Sequence, residues 1–479
     1  MKRLIAVLLV ICMLSAALVG CAKQNDGQEE ATTKGSDATA ASEGTTAFVP
    51  DIAKKDYKKK FAFAKVGSEL EEDFFIPEAS QNDGMTDAAY ERALEIADYL
   101  GVTLVNKDIG SWTEYAKTIK NNVSTQSDEV QLVLTHVYEG ITELMSNNLI
   151  ADFSEFDSIN MDQSYWNKSL MDEVTLNDKY LIGYNDFCLA ETHCIVFNKG
   201  LVQNNSQTLP YDMVKNKEWT LDELITRTQD LHKDTNGDGS RDVTDTYGMT
   251  GWGWTYLISF LTSSNLRIVD RDSDGNFKVA YSDNQEKVLA LLDKIQKWYN
   301  ADGTWFWKSV PAAGTEVEFK NETTLYQLVS TTKLITLKET GVKFGVVPYP
   351  LYDSAQTEYR SLNWNGVLVV PNTVTDSAMV GDTLEMLAYK SAPVKEAFFG
   401  KLLGGKVANA EEDAEMLEVI WGSIVSDVGL LTSNTSRFMD NLVYMVPMIC
   451  EQKKNYSSFA KSNLSKAQNG LDKFFNNKK

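Results

Sequence analysis

Phe61-Ala62-Phe63-Ala64, Val102-Thr103-Leu104-Val105 and Leu132-Val133-Leu134 are three short apolar runs with segments of a different period between them. Each run reads as a strand. Between the first two, the stretch from Ala88 to Leu100 sets Tyr90, Ala93, Leu94, Ala97 and Leu100 at helical spacing and closes at Gly101. Between the second and third, Ser111-Trp112-Thr113-Glu114 has the spacing of a capping box, and Gly140 to Asn147 supplies another helix after the third strand. Strands alternating with helices predict an α/β fold with a parallel sheet.

Further along, Thr220-Leu221-Asp222-Glu223 opens a capped helix, and Val288, Leu291, Leu292, Ile295 and Trp298 line a second one. The C-terminal third is mostly helical. Val342 to Pro348 and Gly366 to Pro371 are apolar strands ended by prolines, so sheet structure returns after the long helical middle. No internal repeat is present, which argues against a repetitive scaffold or adhesin.

At the other end, Lys2 and Arg3 precede an apolar run from Leu4 to Leu14, and Leu18-Val19-Gly20-Cys21 follows. Residues 1–20 read as a signal peptide. The last four of these residues resemble a bacterial lipobox, which implies that Cys21 is lipidated and ties the chain to the membrane surface. Residues 21–57 carry Ala, Thr, Gly, Ser, Gln and acidic residues and are expected to form a flexible tether. Roughly 420 residues remain, too many for one core at ~100 to 200 residues per domain, so two lobes are expected.

Formal net charge is -21. Such a surface repels a polyanion, which argues against nucleic acid as a partner and mildly favours a neutral solute. Cys188, Cys194 and Cys450 make no disulfide framework. Were Cys188 and Cys194 on one extended strand they would lie about 20 Å apart, beyond bridging distance, so they read as buried small apolar residues unless a turn intervenes.

Several stretches together resemble the bacterial extracellular solute-binding proteins of the sugar-binding kind. Gln131 to Leu134 followed by Asn148 to Phe153 looks like the family's third strand and the segment after it. Lys179 to Tyr184 and Ile195 to Lys199 look like a first crossover into a second lobe, while Lys343 to Pro348 and Asn365 to Pro371 look like the return. Glu412 to Ile420 is similar to a helix common in lipoproteins of this family. The resemblance covers nearly all of the mature chain. It implies a two-lobed periplasmic-binding-protein-like fold, with residues 58–182 and 363–425 in one lobe and 183–362 and 426–479 in the other. A ligand would lie in the cleft, hinge bending would close it, and the permease subunits of an ABC importer would read the closed state. The expected protein is a monomer and not an enzyme.

Aromatic residues mark the expected cleft. Trp252 and Trp254 flank Gly253, where two indole faces can project and stack on the C–H faces of a sugar. Trp364 stands between Asn363 and Asn365, whose amides can bond hydroxyls. Loops at strand C-termini supply ligand contacts in open α/β sheets, which adds Trp112 after the second strand and His136 and Tyr138 after the third. Tyr184 and Asp186 occupy the first crossover, where the family often places polar contacts. Trp305 and Trp307 read rather as buried.

Asp234-Thr235-Asn236-Gly237-Asp238-Gly239-Ser240-Arg241-Asp242-Val243-Thr244-Asp245 has the spacing of a calcium loop. Asp234, Asn236, Asp238, Ser240, Asp242 and Asp245 would supply oxygens, and Gly239 falls where the chain must turn sharply. Asp245 is shorter than the usual glutamate at the last position. Gly400 to Val407 nearly spells a P-loop, but Val407 lacks the magnesium-binding hydroxyl. No HExxH or G-x-S-x-G pattern supports a secreted hydrolase such as a glycosidase. A receptor for a peptide or another polar solute would share the architecture. The expected ligand is a sugar or short oligosaccharide, because tryptophans and amides gather at the inferred cleft.

Overall fold

The computed structural model describes residues 49–479, apart from 68–69, 71, 190, 310, 312–313, 315, 365, 404–409 and 477–479. The signal peptide, Cys21 and most of the expected tether lie outside the described residues, as do Asn365 and the end of the P-loop-like stretch.

The first sheet is built from β1 (Lys59–Lys65), β2 (Val102–Asn106) and β3 (Leu132–Thr135), the three runs that open the sequence. The second is built from β4 (His193–Asn198), β5 (His232–Lys233) and β6 (Thr246–Trp252), and two short strands, β7 (Val269–Arg271) and β8 (Phe277–Val279), pair apart from it. β9 (Thr304–Trp307), β10 (Thr324–Ser330) and β11 (Phe344–Val347) complete the second sheet. β12 (Ser361–Leu362), β13 (Val367–Val369) and β14 (Ile424–Val425) follow. The orders are β13-β3-β1-β2 and β11-β4-β10-β6-β5, with β9 also on β6. Each sheet is covered by helices, which gives two α/β lobes.

The sheets are mixed rather than parallel throughout. β1, β2 and β3 run parallel, as the helical crossovers between them require, but β13 returns from the other lobe and pairs antiparallel to β3. In the second sheet β4 pairs antiparallel to both β10 and β11. The chain passes between lobes after Gly183, whose backbone bridges Leu368, and again between β11 and β13. β12 lies in that second passage and pairs with β14.

Four local expectations are corrected. In the helix Gly84–Leu100 the buried face holds Met85, Ala89, Arg92, Ile96 and Leu100, while Leu94 is 52% exposed. The face turns because Arg92 is taken inside, where its guanidinium donates to Ser391 Oγ (2.8 Å) and the Phe75 carbonyl and covers the Phe187 ring. Ser111 does not cap a helix N–H. Its hydroxyl donates to the Glu114 carboxylate (2.7 Å) and the helix starts at Tyr115. The end of the expected tether is anchored: Lys55 Nζ and Tyr57 OH both donate to the buried Asp382 (2.7 Å each), and Ile52 is buried.

The fourth concerns the helix Ala410–Gly422, expected with the first lobe. Its buried Asp413 carboxylate accepts from Lys199 Nζ (3.0 Å), Tyr211 OH (2.6 Å) and Val346 N (3.2 Å), all on the second lobe, so the helix packs there. The C-terminal helices, in turn, touch both lobes. Met445–Gln452 packs on Gln285–Tyr299, while Thr142 Oγ1 donates to the Leu431 carbonyl (2.6 Å).

Other expectations hold. Thr220 Oγ1 accepts from Glu223 N (3.3 Å), and Val288, Leu291, Leu292, Ile295 and Trp298 form one buried face. Cys188, Cys194 and Cys450 are buried and unpaired with one another. Among the described residues no helix is long and apolar enough to cross a membrane.

Candidate functional site

Trp364 sits in the passage between lobes and is 8% exposed. Three rings surround it: His136 edge-on at 5.4 Å, His193 at 5.5 Å, and Tyr138 stacked at 6.5 Å. From His136 the row continues to Trp112 (6.3 Å) on the first lobe. From His193 it continues through Tyr256 (4.8 Å) to Trp252 (6.0 Å) on the second. A branch runs from Tyr138 to Tyr444 (5.5 Å) and on to Trp254, stacked at 5.0 Å. These separations fall in the range where aromatic pairs attract beyond their burial. One row of rings thus joins both lobes.

Local sequence explains the positions. Trp112 follows β2, His136 and Tyr138 follow β3, and Trp252 ends β6, so each projects from the carboxyl end of a parallel strand. Gly253 leaves little room for a side chain between the two tryptophans, because a Cβ there would sit 3.0 Å from the Phe306 Cβ. His193 begins β4, a strand buried along its whole length.

The two imidazoles of the site are uncharged, and its carboxylate, Asp440, is engaged by Tyr138. His136 Nδ1 accepts from Tyr138 N (3.0 Å), and burial pushes its pKa down to about 4. His193 Nδ1 shares a hydrogen with Ser259 Oγ (2.7 Å). Its burial, and secondarily the neighbouring His136, push it down to about 3, so both imidazoles are neutral at pH 7. Tyr138 OH donates to the Asp440 carboxylate, which leaves that charge engaged. Asn363 Nδ2, His193 Nε2 and Trp252 Nε1 are buried and have no partner. A buried donor without an acceptor is costly, so a solute offering hydroxyl oxygens here gains what the free protein lacks.

Of the expected contacts, Trp112, His136, Tyr138, Trp252, Trp254 and Trp364 come together, and Asn363 is buried next to Trp364 in the chain. Tyr184 and Asp186 do not join them. The turn Asp186–Cys188 aims Asp186 at the helix Ala392–Leu403, where Lys395 Nζ donates to it (2.6 Å). Tyr184 is buried, with its hydroxyl 3.4 Å from Ser426 Oγ. Both line a separate cavity of about 130 Å³ walled by Phe398, Phe399 and Trp421. The sequence reading missed His193, Tyr256 and Tyr444. A histidine opening an apolar strand was a usable signal for the first; nothing local marks Tyr444.

In the loop from Asp234 to Asp245, Gly237 and Gly239 take left-handed conformations (φ +75° and +74°). Asp234 accepts from Gly237 N (2.6 Å) and Gly239 N (2.9 Å), Asp238 from Ser240 N (2.7 Å), and Asp242 from Thr244 N (2.8 Å). Asp245 turns inward instead. It is fully buried against His232 Nε2 (3.0 Å) and Thr235 N (3.2 Å), and the His232 contact above all lowers its pKa. Among the described residues no three or more His, Cys, Asp or Glu side chains converge to hold a metal.

Comparison with solved structures places this fold among two-lobed binding proteins. The GacH receptor of Streptomyces glaucescens, solved unliganded and with acarbose, is 14% identical and matches at a TM-score of 0.59 over 87% of this chain and 99% of its own. The galacto-N-biose/lacto-N-biose I-binding protein of a Bifidobacterium longum ABC transporter, solved with lacto-N-biose, is 10% identical (TM-score 0.57, 87% and 97%). A cyclo/maltodextrin-binding protein complexed with maltotetraose is 14% identical (TM-score 0.56, 88% and 97%). No curated protein matches the sequence. Residues 87–387 match the family described as bacterial extracellular solute-binding protein, which is more than half of the chain. This chain therefore belongs to the bacterial extracellular solute-binding proteins, a family of receptors outside the cytoplasm.

Proposed function

We propose that this protein captures a neutral sugar or short oligosaccharide between its lobes and delivers it to the membrane subunits of an ABC importer. The row of rings that reaches from Trp112 through Trp364 to Trp252 carries the reading, since it offers apolar faces from both lobes to one solute. The neutral histidines and the partnerless Asn363 amide favour hydroxyls over ions. A solute that touches both lobes binds the closed state better than the open one, and by that difference it draws the lobes together. The sugars bound by the similar structures point the same way. A thermal-shift screen across mono- and oligosaccharides, followed by calorimetry, tests the reading: one-to-one binding without turnover supports it, and hydrolysis of the bound sugar sinks it.

Two further properties belong to this proposal. The lipobox assigns a lipid anchor to Cys21, which would hold the receptor beside its permease. The loop 234–245 is assigned to calcium, supported by its five side-chain oxygens from Asp234 to Asp242 and its two left-handed glycines. Asp245, held by His232, contributes no direct ligand in its present position, so the affinity is expected to be weak.

A further inference from the structure

We propose that the cleft continues as a groove along the open edge of β9, where the partly exposed Trp305 and Phe306, backed by the buried Trp307, carry additional rings of a longer oligosaccharide. This rests on the carbohydrate reading above. β9 pairs only with β6, and among the described residues no strand covers its other edge. Along that edge runs a groove of about 780 Å³ bordered by Tyr299, Trp305, Phe306, Trp307, Arg241 and Glu318. The size suits a ligand pocket. It begins where the ring row ends, because Trp307 is the register partner of Trp252 and its carbonyl accepts from Gly253 N (2.9 Å).

The groove is built rather than incidental. Trp305 stacks by one face on Tyr247 (5.6 Å, 21°) and remains half-buried, and its indole N–H has no partner. Phe306 and Tyr299 lie parallel at 5.1 Å (6°), and both stay partly exposed. Trp307 is locked by its indole N–H, which donates to the buried Glu318 carboxylate, itself a further acceptor from Gln327 Nε2 (3.3 Å). Burial pushes the pKa of Glu318 up to about 7, so near neutral pH this carboxyl is only part-ionised. At the far end Arg241 is fixed by donating to the carbonyls of Thr304 (2.7 Å) and Asp302 (3.1 Å). Four residues of extended strand span about 13 Å, room for more than one pyranose ring. Flat aromatic surface with a few fixed donors is what a neutral glycan requires, and a single sugar held at Trp364 would leave this surface unused.

Calorimetry with the mature protein tests the groove, using maltose to maltoheptaose and cellobiose to cellohexaose as probes. In the series that binds, affinity should rise at least tenfold from the disaccharide to the longest chain. Trp305→Ala should remove that gain, and so should Val243→Arg, which blocks the groove from a 43% exposed position without touching the core. Both variants should keep the disaccharide affinity within twofold. Affinity independent of chain length, or a gain that survives both variants, overturns the groove while leaving a sugar at Trp364. Failure of every sugar, disaccharides included, overturns the carbohydrate reading itself.

Discussion

The rings of His193 and Trp364 lie 5.5 Å apart at the junction of the lobes, one from the start of the second lobe's β4 and the other from the passage leading back to the first. Movement of either lobe therefore changes the surroundings of Trp364. Replacing Trp364 by Ala should weaken sugar binding at least tenfold by calorimetry. Its loss should also reduce the fluorescence change on ligand addition. Unchanged affinity would remove the cleft assignment.

The pH response follows from the two imidazoles. Their folded pKa values, about 3 for His193 and about 4 for His136, lie below the ordinary ~6.5, so in acid the unfolded chain binds protons that the folded one refuses. Stability from them is complete above pH ~6.5 and is lost as pH falls toward 4, by up to about 1.4 kcal/mol per pH unit for each. Glu318, raised to about 7, acts in the opposite sense over part of this range. The useful comparison is between the parent and His193→Gln in urea melts from pH 7 to 4.5. The variant should show the shallower acid loss; identical slopes would refute the buried neutral histidine.

Asp186 was expected to hold sugar hydroxyls, yet its partner is Lys395. Asp186→Asn should leave ligand affinity within about threefold and lower stability by about 1 kcal/mol, the scale of a partly exposed ion pair. A tenfold affinity loss without a stability change would restore the original assignment.

Calcium should raise the melting temperature relative to EGTA, and Asp234→Ala should abolish the rise. Because Asp245 is occupied by His232, millimolar calcium is expected to be needed. No shift at 10-fold higher concentration than about 1 mM would dismiss the ion.

Cys21→Ala should move the protein from the membrane fraction to the medium or the soluble extract. An unchanged distribution on fractionation would rule out the lipid anchor.

The sequence made the architecture legible because strand and helix periods are local. The three opening runs became β1, β2 and β3, Trp112, His136 and Tyr138 were found by their position at strand ends, and Trp252 and Trp254 by the glycine between them. Trp364 stood out by its flanking amides. The misses share a cause. Tyr444 meets Tyr138 and Trp254 from the C-terminal helices, and Asp440 takes the Tyr138 hydroxyl from 302 residues away. No local pattern encodes such a meeting.

By itself, then, the sequence determined which segments become strands and helices and which rings stand near a cleft, since those follow from side-chain spacing along the chain. Only the tertiary structure decided which polar groups are deprived of partners and which are claimed. Asn363 Nδ2 and His193 Nε2 end buried without partners, whereas Asp186 is taken by Lys395 and Asp245 by His232. Burial and pairing depend on what the whole chain brings alongside, and that is a property of the folded molecule.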